Sequence, residues 1–93
     1  MITNFICKEA EKIWGGVFSL KLPGDIQHVA RRKLRMLNNA KKLSDLMIPP
    51  SNRLETLKGR WKGEYSIRIN KQWRICFVWE NGHTCNVKIE DYY

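Results

Sequence analysis

Two alternating runs, Tyr65 to Asn70 and Trp73 to Trp79, constrain this chain more than anything else in it. Strict apolar–polar alternation is the pattern of a strand with one buried face, and two such runs joined by a short polar turn predict a hairpin. Side chains point to alternate faces along a strand, so parity assigns them. Tyr65, Ile67 and Ile69 share one face of the first strand, and Trp73, Ile75, Phe77 and Trp79 share one parity in the second. Ser66, Arg68, Asn70, Arg74, Cys76 and Val78 take the opposite parity. An apolar sheet face has to be covered, so the remaining chain must supply helices. At 93 residues the chain holds one domain, residues 1–93, around one core.

A third strand follows Asn81-Gly82. A two-residue Asn-Gly turn is the commonest hairpin connection. That register, however, places Val87 and Ile89 on the face opposite Trp73, Ile75 and Phe77. A three-residue loop, Glu80-Asn81-Gly82 with Gly82 left-handed, puts Cys85, Val87 and Ile89 beside the aromatic row. It leaves Thr84, Asn86, Lys88 and Glu90 outside. One clean core face favours the longer loop, because a one-residue slip reverses every side chain.

Upstream, Ile2 to Ile6 reads as a short strand and Lys8 to Trp14 as a short helix, closed by Gly15-Gly16. Glu9 and Glu11 stand in its first turns, where negative charge suits the helix dipole. Asp25 is the expected N-cap of a longer helix, with Ile26, Val29, Ala30, Leu34 and Leu37 as its apolar stripe. Arg31, Arg32, Lys33 and Arg35 are assigned to its opposite face, read first as solvated charge and alternatively as a nucleic-acid contact. This helix is expected to end near Asn38-Asn39. Leu43, Leu46 and Met47 add one further turn, and Pro49-Pro50 blocks continuation. Arg53 to Leu57 forms a brief strand before the cationic, aromatic loop Arg60-Trp61-Lys62-Gly63.

Charge points to partners. Seventeen basic and nine acidic residues give +8, which favours a polyanion such as nucleic acid. Three widely spaced cysteines, Cys7, Cys76 and Cys85, fit a reducing compartment, and no zinc-type spacing occurs. His28 and His83 have no evident partner. The apolar runs are too short to span a bilayer, and the start lacks a signal-peptide pattern. A cytoplasmic location is therefore expected.

No phosphate-binding glycine loop and no serine triad can be assembled. Glu90-Asp91 alone is weak support for a metal, so no cofactor is expected. The residues do support metal-independent RNA cleavage, in which the ribose 2′-OH attacks its own phosphodiester. Such a protein must align the attack, neutralise charge and move protons. Arg53, Glu55, Lys58, Arg68, Arg74, Asp91, Tyr92 and Tyr93 contain those parts. Trp61 offers a ring on which a base can stack. A passive RNA-binding surface needs the same cations and ring, but not the tyrosine–carboxylate end.

The run Arg-Leu-Glu-Thr-Leu-Lys-Gly, the block Tyr-Ser-Ile-Arg-Ile-Asn-Lys-Gln-Trp-Arg-Ile, and the closing Glu-Asp-Tyr resemble HigB-type toxins of the RelE/ParE superfamily. The resemblance covers essentially the whole chain. It implies an α+β fold, with a small, curved, mostly antiparallel sheet packed against two N-terminal helices. It implies a ribosome-dependent mRNA endoribonuclease (an mRNA interferase) that causes growth arrest. The implied partners are mRNA in the ribosomal A site, ribosomal RNA and a HigA-like helix-turn-helix antitoxin. Lys58, Arg74, Asp91 and Tyr92 match family catalytic positions. Tyr93 and Glu55 stand where relatives often carry histidine, so acid–base work would pass to Tyr92, Tyr93, Asp91 or Glu55. Arg53, Arg60, Trp61, Lys62, Arg68 and Lys71 are the expected RNA-binding residues. Two other readings remain open: a ParE-like gyrase inhibitor, and a non-catalytic basic module.

Overall fold

The computed structural model describes residues 1–57 and 63–91. Two α-helices, α1 (Lys8–Trp14) and α2 (Gly24–Asn39), precede two short 3-10 helices, Leu43–Met47 and Pro50–Asn52. Four strands follow: β1 (Glu55–Thr56), β2 (Glu64–Arg68), β3 (Trp73–Glu80) and β4 (His83–Asp91). They form one antiparallel sheet in the order β1-β2-β3-β4. The helices lie on one face of it, as the α+β expectation requires.

The predicted hairpin is present, with Tyr65 opposite Phe77 and Ile67 opposite Ile75. Ile67, Ile75, Phe77, Val87 and Ile89 meet Ala10, Ile13, Ile26, Ala30, Leu34 and Leu37 in the core. Phe77 is 1% exposed, and Ile67, Ile75 and Val87 are fully buried. Burial of this kind contributes about 1.5–3 kcal/mol for each large apolar side chain.

The turn into β4 differs from the expectation. Glu80 pairs with His83, so the loop is the two-residue Asn81-Gly82, with φ of 51° and 78°. Both values lie in the left-handed region that this turn type needs, and Asn and Gly are the residues that tolerate it. The parity conflict is removed elsewhere, by a β-bulge. Val78 pairs with Cys85, but Cys76 pairs with Lys88. The extra residue in β4 lies at Asn86–Val87, and Asn86 has φ 52°. Before the bulge, Thr84 shares the face of Trp79 and is fully buried, while Cys85 sits beside Val78. After it, Val87 and Ile89 return to the core. The three-residue loop therefore predicted Val87 and Ile89 correctly but exchanged Thr84 and Cys85.

Ile2 to Ile6 is not a full strand. It runs parallel to β4 and makes two isolated bridges, Ile2 to Thr84 and Phe5 to Val87. The bulge separates them. Asn4 fills the gap: its Oδ1 accepts from the Asn86 backbone N–H at 2.9 Å, and its Nδ2 donates to Asn86 Oδ1 at 2.9 Å.

Helix α1 has the predicted bounds. In α2, Pro23 holds the cap position and Asp25 lies in the first turn without capping it. Gln27 ties the connection between the helices to α2. It accepts from the Ser19 N–H at 2.9 Å and donates to the Ser19 and Leu22 carbonyls at 2.8 and 3.0 Å. Lys33 is a second departure from expectation: it is 4% exposed, not on a solvated face. Its Nζ donates to Oδ1 of Asn52, which is fully buried. Pro49-Pro50 ends the first 3-10 helix, but Pro50 opens the next one, where a missing N–H costs nothing.

Two stability predictions follow from these contacts. Replacing Asn86 with alanine removes both its side-chain bond and its tolerance of the left-handed region, at a cost of about 1–2 kcal/mol. Asn86→Gly should recover part of that loss, as read from urea midpoints; equal losses would contradict the role of the backbone. The second prediction concerns pH. The Lys41 and Lys42 backbone N–H groups donate to the Asp45 carboxylate at 3.0 and 3.1 Å. These bonds hold its pKa below the ordinary 3.8. A depressed carboxylate stabilises above its unfolded pKa and loses that contribution as pH falls through the folded value. Asp45→Asn should therefore melt lower than the parent near neutrality. The gap should close in acid below 3.8, and a gap independent of pH would contradict this.

Candidate functional site

The sheet face away from the helices carries charge, and register arranges that charge in rows. Glu55 pairs with Ser66, Ser66 with Cys76, and Cys76 with Lys88. The next row is Arg68, Arg74 and Glu90. Two arginines directly across a strand pair repel each other, so Arg68 and Arg74 form a cationic pair built into the sheet.

Arg74 is the centre of this face. It is 7% exposed, and its contacts fix its geometry. Nε donates to Ser66 Oγ at 2.7 Å, and Nη2 donates to the Arg53 carbonyl at 2.6 Å and the Ser66 carbonyl at 3.4 Å. These acceptors are neutral, so they orient the guanidinium without cancelling its charge. Among the described residues its one ion pair is with Glu55, with Oε2 at 3.9 Å and the Glu55 side chain 57% exposed. An exposed pair at that distance is screened and weak. Arg53 has left-handed backbone angles, φ 45° and ψ 58°, which aim its carbonyl at Arg74.

Other neighbours were not singled out from the sequence as site residues. Ser66 is fully buried under Arg74, and only the strand register brings it there. Glu90 of the Arg74 row forms an ion pair at 2.6 Å with Lys88 of the adjacent row. That hydrogen bond raises the Lys88 pKa above its usual value. Burial, reinforced by Glu80, pushes the Cys85 thiol up, which disfavours a reactive thiolate.

The described chain ends along β4, at the candidate residue Asp91. Asp91 pairs with Trp73, and Glu90 stands opposite Arg74. Strand alternation thus turns Asp91 toward the face of Trp73, where its Oδ2 accepts from Gln72 Nε2 at 2.9 Å. Lys58, Arg60, Trp61, Lys62, Tyr92 and Tyr93 lie outside the described residues.

A cleft of about 820 Å³ adjoins this face, between α2, the Pro50–Asn52 turn and the β2–β3 connection. The predicted RNA-binding residues Arg53, Arg68 and Lys71 all line it. Arg32 and Lys33 of α2 line it too. Burial, with Arg32 nearby, pushes the Lys33 pKa down. Among the described residues no helix is long and apolar enough to cross a membrane.

Two helices on an open antiparallel sheet, with a fixed arginine on a cationic outer face, define a small basic α+β protein of the RelE-like class. The family model for the RelE-like toxin of the type II toxin–antitoxin system HigB matches residues 16–92. Toxin HigB-1 of Vibrio cholerae serotype O1 is 45% identical over 69 residues, covering 74% of this chain and 73% of that toxin. An uncharacterized Haemophilus influenzae protein is 37% identical over 70 residues, covering 75% of this chain and 69% of its own. The chain belongs to the HigB-like toxin family, and type II membership implies an antitoxin partner.

The packing beneath Arg74 predicts one outcome. Ser66→Ala removes the Nε acceptor from a buried charged donor, which should cost about 1–3 kcal/mol. Double-mutant analysis with Arg74→Met should recover most of that loss, because the donor is then gone. Additive losses in urea unfolding would show that Ser66 acts independently of Arg74.

Proposed function

We propose that this toxin is a ribosome-dependent endoribonuclease that cuts mRNA in the ribosomal A site. The observation that carries the reading is Arg74: a buried guanidinium, oriented by neutral acceptors and, among the described residues, ion-paired only at 3.9 Å with the exposed Glu55 carboxylate. Such a group is suited to a phosphodiester oxygen, whose charge increases as the 2′-OH attacks. Its side-chain orientation is already fixed, so little reorganisation is needed when charge develops. A bound phosphate would readily displace the exposed Glu55 carboxylate from Arg74.

In this reading the substrate supplies the nucleophile. Arg74 neutralises the scissile phosphate and Lys58 assists it. Glu55 or Asp91, with Tyr92 and Tyr93, takes the 2′-OH proton and returns one to the leaving 5′ oxygen. The bond from phosphorus to that oxygen breaks as the 2′ oxygen bonds to phosphorus, leaving a 2′,3′-cyclic phosphate. Glu55 is favoured as the carboxylate, since its Oε2 lies 3.9 Å from Arg74 Nη2. Arg53, Arg60, Trp61, Lys62, Arg68 and Lys71 hold the RNA. A HigA-like helix-turn-helix protein is the proposed antitoxin, and the cytoplasm is the proposed location.

Induced expression should arrest growth and create new mRNA 5′ ends inside translated regions. Arg74→Ala and Tyr92→Ala should each relieve both effects while remaining folded by circular dichroism. Removal of a transition-state contact to the phosphate costs about a hundredfold or more in rate. Full toxicity in both folded variants would sink the assignment. Arrest with DNA-damage signalling and uncut mRNA would instead identify gyrase as the target.

A further inference from the structure

We infer that the cleft between α2 and the β2–β3 connection is a binding site for the sugar–phosphate backbone of RNA, in which Arg32 and Lys33 act with Arg53, Arg68 and Lys71. The inference takes RNA as the ligand from the proposed nuclease function, but its argument is separate.

Charge comes first. Among the described residues, five cations and no carboxylate line the cleft. Among the described residues none of the five is ion-paired to a carboxylate. Grouping like charges without counterions opposes folding unless an anion joins them. Solvated surface cations could spread apart to limit this, but Lys33 cannot. It is 4% exposed, and its Nζ is held by the Asn52 amide oxygen, a neutral partner. Asn52 is itself fixed by donating to the Leu46 and Ile48 carbonyls at 3.1 and 3.4 Å. The site is therefore built from inside the fold.

Shape and chemistry then narrow the ligand. The volume of about 820 Å³ suits more than one nucleotide unit and lies within the usual range of ligand sites. Val29, Pro50 and Ile69 give an apolar wall against which ribose carbons can pack. No aromatic ring lines the cleft among the described residues, so it offers cations to phosphates without a stacking platform for bases. Recognition should be independent of sequence. The cleft also connects to the proposed cleavage centre: Arg53 lines it while its carbonyl fixes Arg74, and Arg68 lines it while pairing with Arg74 across the sheet. RNA running through it would extend from the bond held at Arg74.

Arg32 and Lys71 are exposed, so the double variant Arg32→Ala/Lys71→Ala should fold. Its binding is measured by fluorescence anisotropy across a salt series. One arm uses a labelled single-stranded RNA whose 2′-OH groups are methylated to prevent cleavage. The other uses vacant ribosomes. Each phosphate contact contributes about 0.7 to the salt slope for a single strand, so the slope against the free RNA should fall by about 1.4. Loss in the RNA arm assigns the cleft to mRNA, and loss only in the ribosome arm assigns it to ribosomal RNA. Unchanged affinity and slope in both arms would overturn the proposal. So would a loss confined to antitoxin binding, which would make the cleft a protein-docking site. Failure of the nuclease reading is visible separately, as absent mRNA cleavage while the RNA salt slope still depends on Arg32 and Lys71.

Discussion

The left-handed backbone at Asn86 determines which residues share a face with Arg74. The tight Asn81-Gly82 turn fixes Glu80 opposite His83, and continued in that register β4 would put Lys88 and Glu90 under the helices. Burying those charges would cost several kcal/mol each. One extra residue at Asn86 reverses the parity, so Val87 and Ile89 enter the core while Lys88 and Glu90 stand on the outer face. The bulge leaves the Asn86 N–H outside the β3 ladder, and Asn4 accepts it. A side chain near the start of the chain thus stabilises the register that composes the site near its end.

Much of this was legible in the sequence, and the exceptions have identifiable causes. Period-two alternation in β2 and β3 identifies the face that meets the helices, although Arg74, Cys76 and Val78 on the other face of β3 are buried too, and glycine after Trp14 sets the end of α1. The β4 register was harder, because a longer loop and a short loop with a bulge give the same face at Val87 and Ile89. They differ only at Thr84 and Cys85, two small residues of similar preference. Lys33 was misread for another reason. Its position does fit the stripe of Ile26, Ala30 and Leu37, at spacings of three and four, but its charge argued for solvent. A buried lysine needs a specific acceptor, and Asn52 lies nineteen residues away. Ser66 was equally hidden, since its role depends on a cross-strand neighbour and not on any local pattern. Glu90 was likewise not singled out, because only the register of β4 on β3 shows that it stands opposite Arg74.

The electrostatics of Arg74 reflect a compromise between stability and reactivity. A buried guanidinium is costly without hydrogen-bond partners. A close carboxylate would satisfy it but would also compete with a phosphate. Ser66 and the Arg53 carbonyl provide geometry without a counter-charge, and Glu55 stays at 3.9 Å on an exposed side chain. Glu90 stands opposite Arg74, but it forms the shorter ion pair of this face, at 2.6 Å, with Lys88 of the neighbouring row. Arg68 across one strand adds positive charge beside the guanidinium, and Glu90 across the other is paired with Lys88.

The connection between helix and sheet passes through two consecutive residues. The Asn52 side chain accepts from Lys33 of α2, and the Arg53 carbonyl accepts from Arg74 of β3. Between them the chain turns into the left-handed region, φ 45° at Arg53, a conformation unfavourable by about 1–2 kcal/mol for a residue with a Cβ. Both flanking bonds are donated by buried cations, and hydrogen bonds to charged groups contribute about 1.5–3 kcal/mol each. That is enough to hold the turn. The same residue lines the cleft. The strain at Arg53 thus has a structural result: one backbone reversal aligns the arginine under the sheet face and adds a cation to the groove beside it.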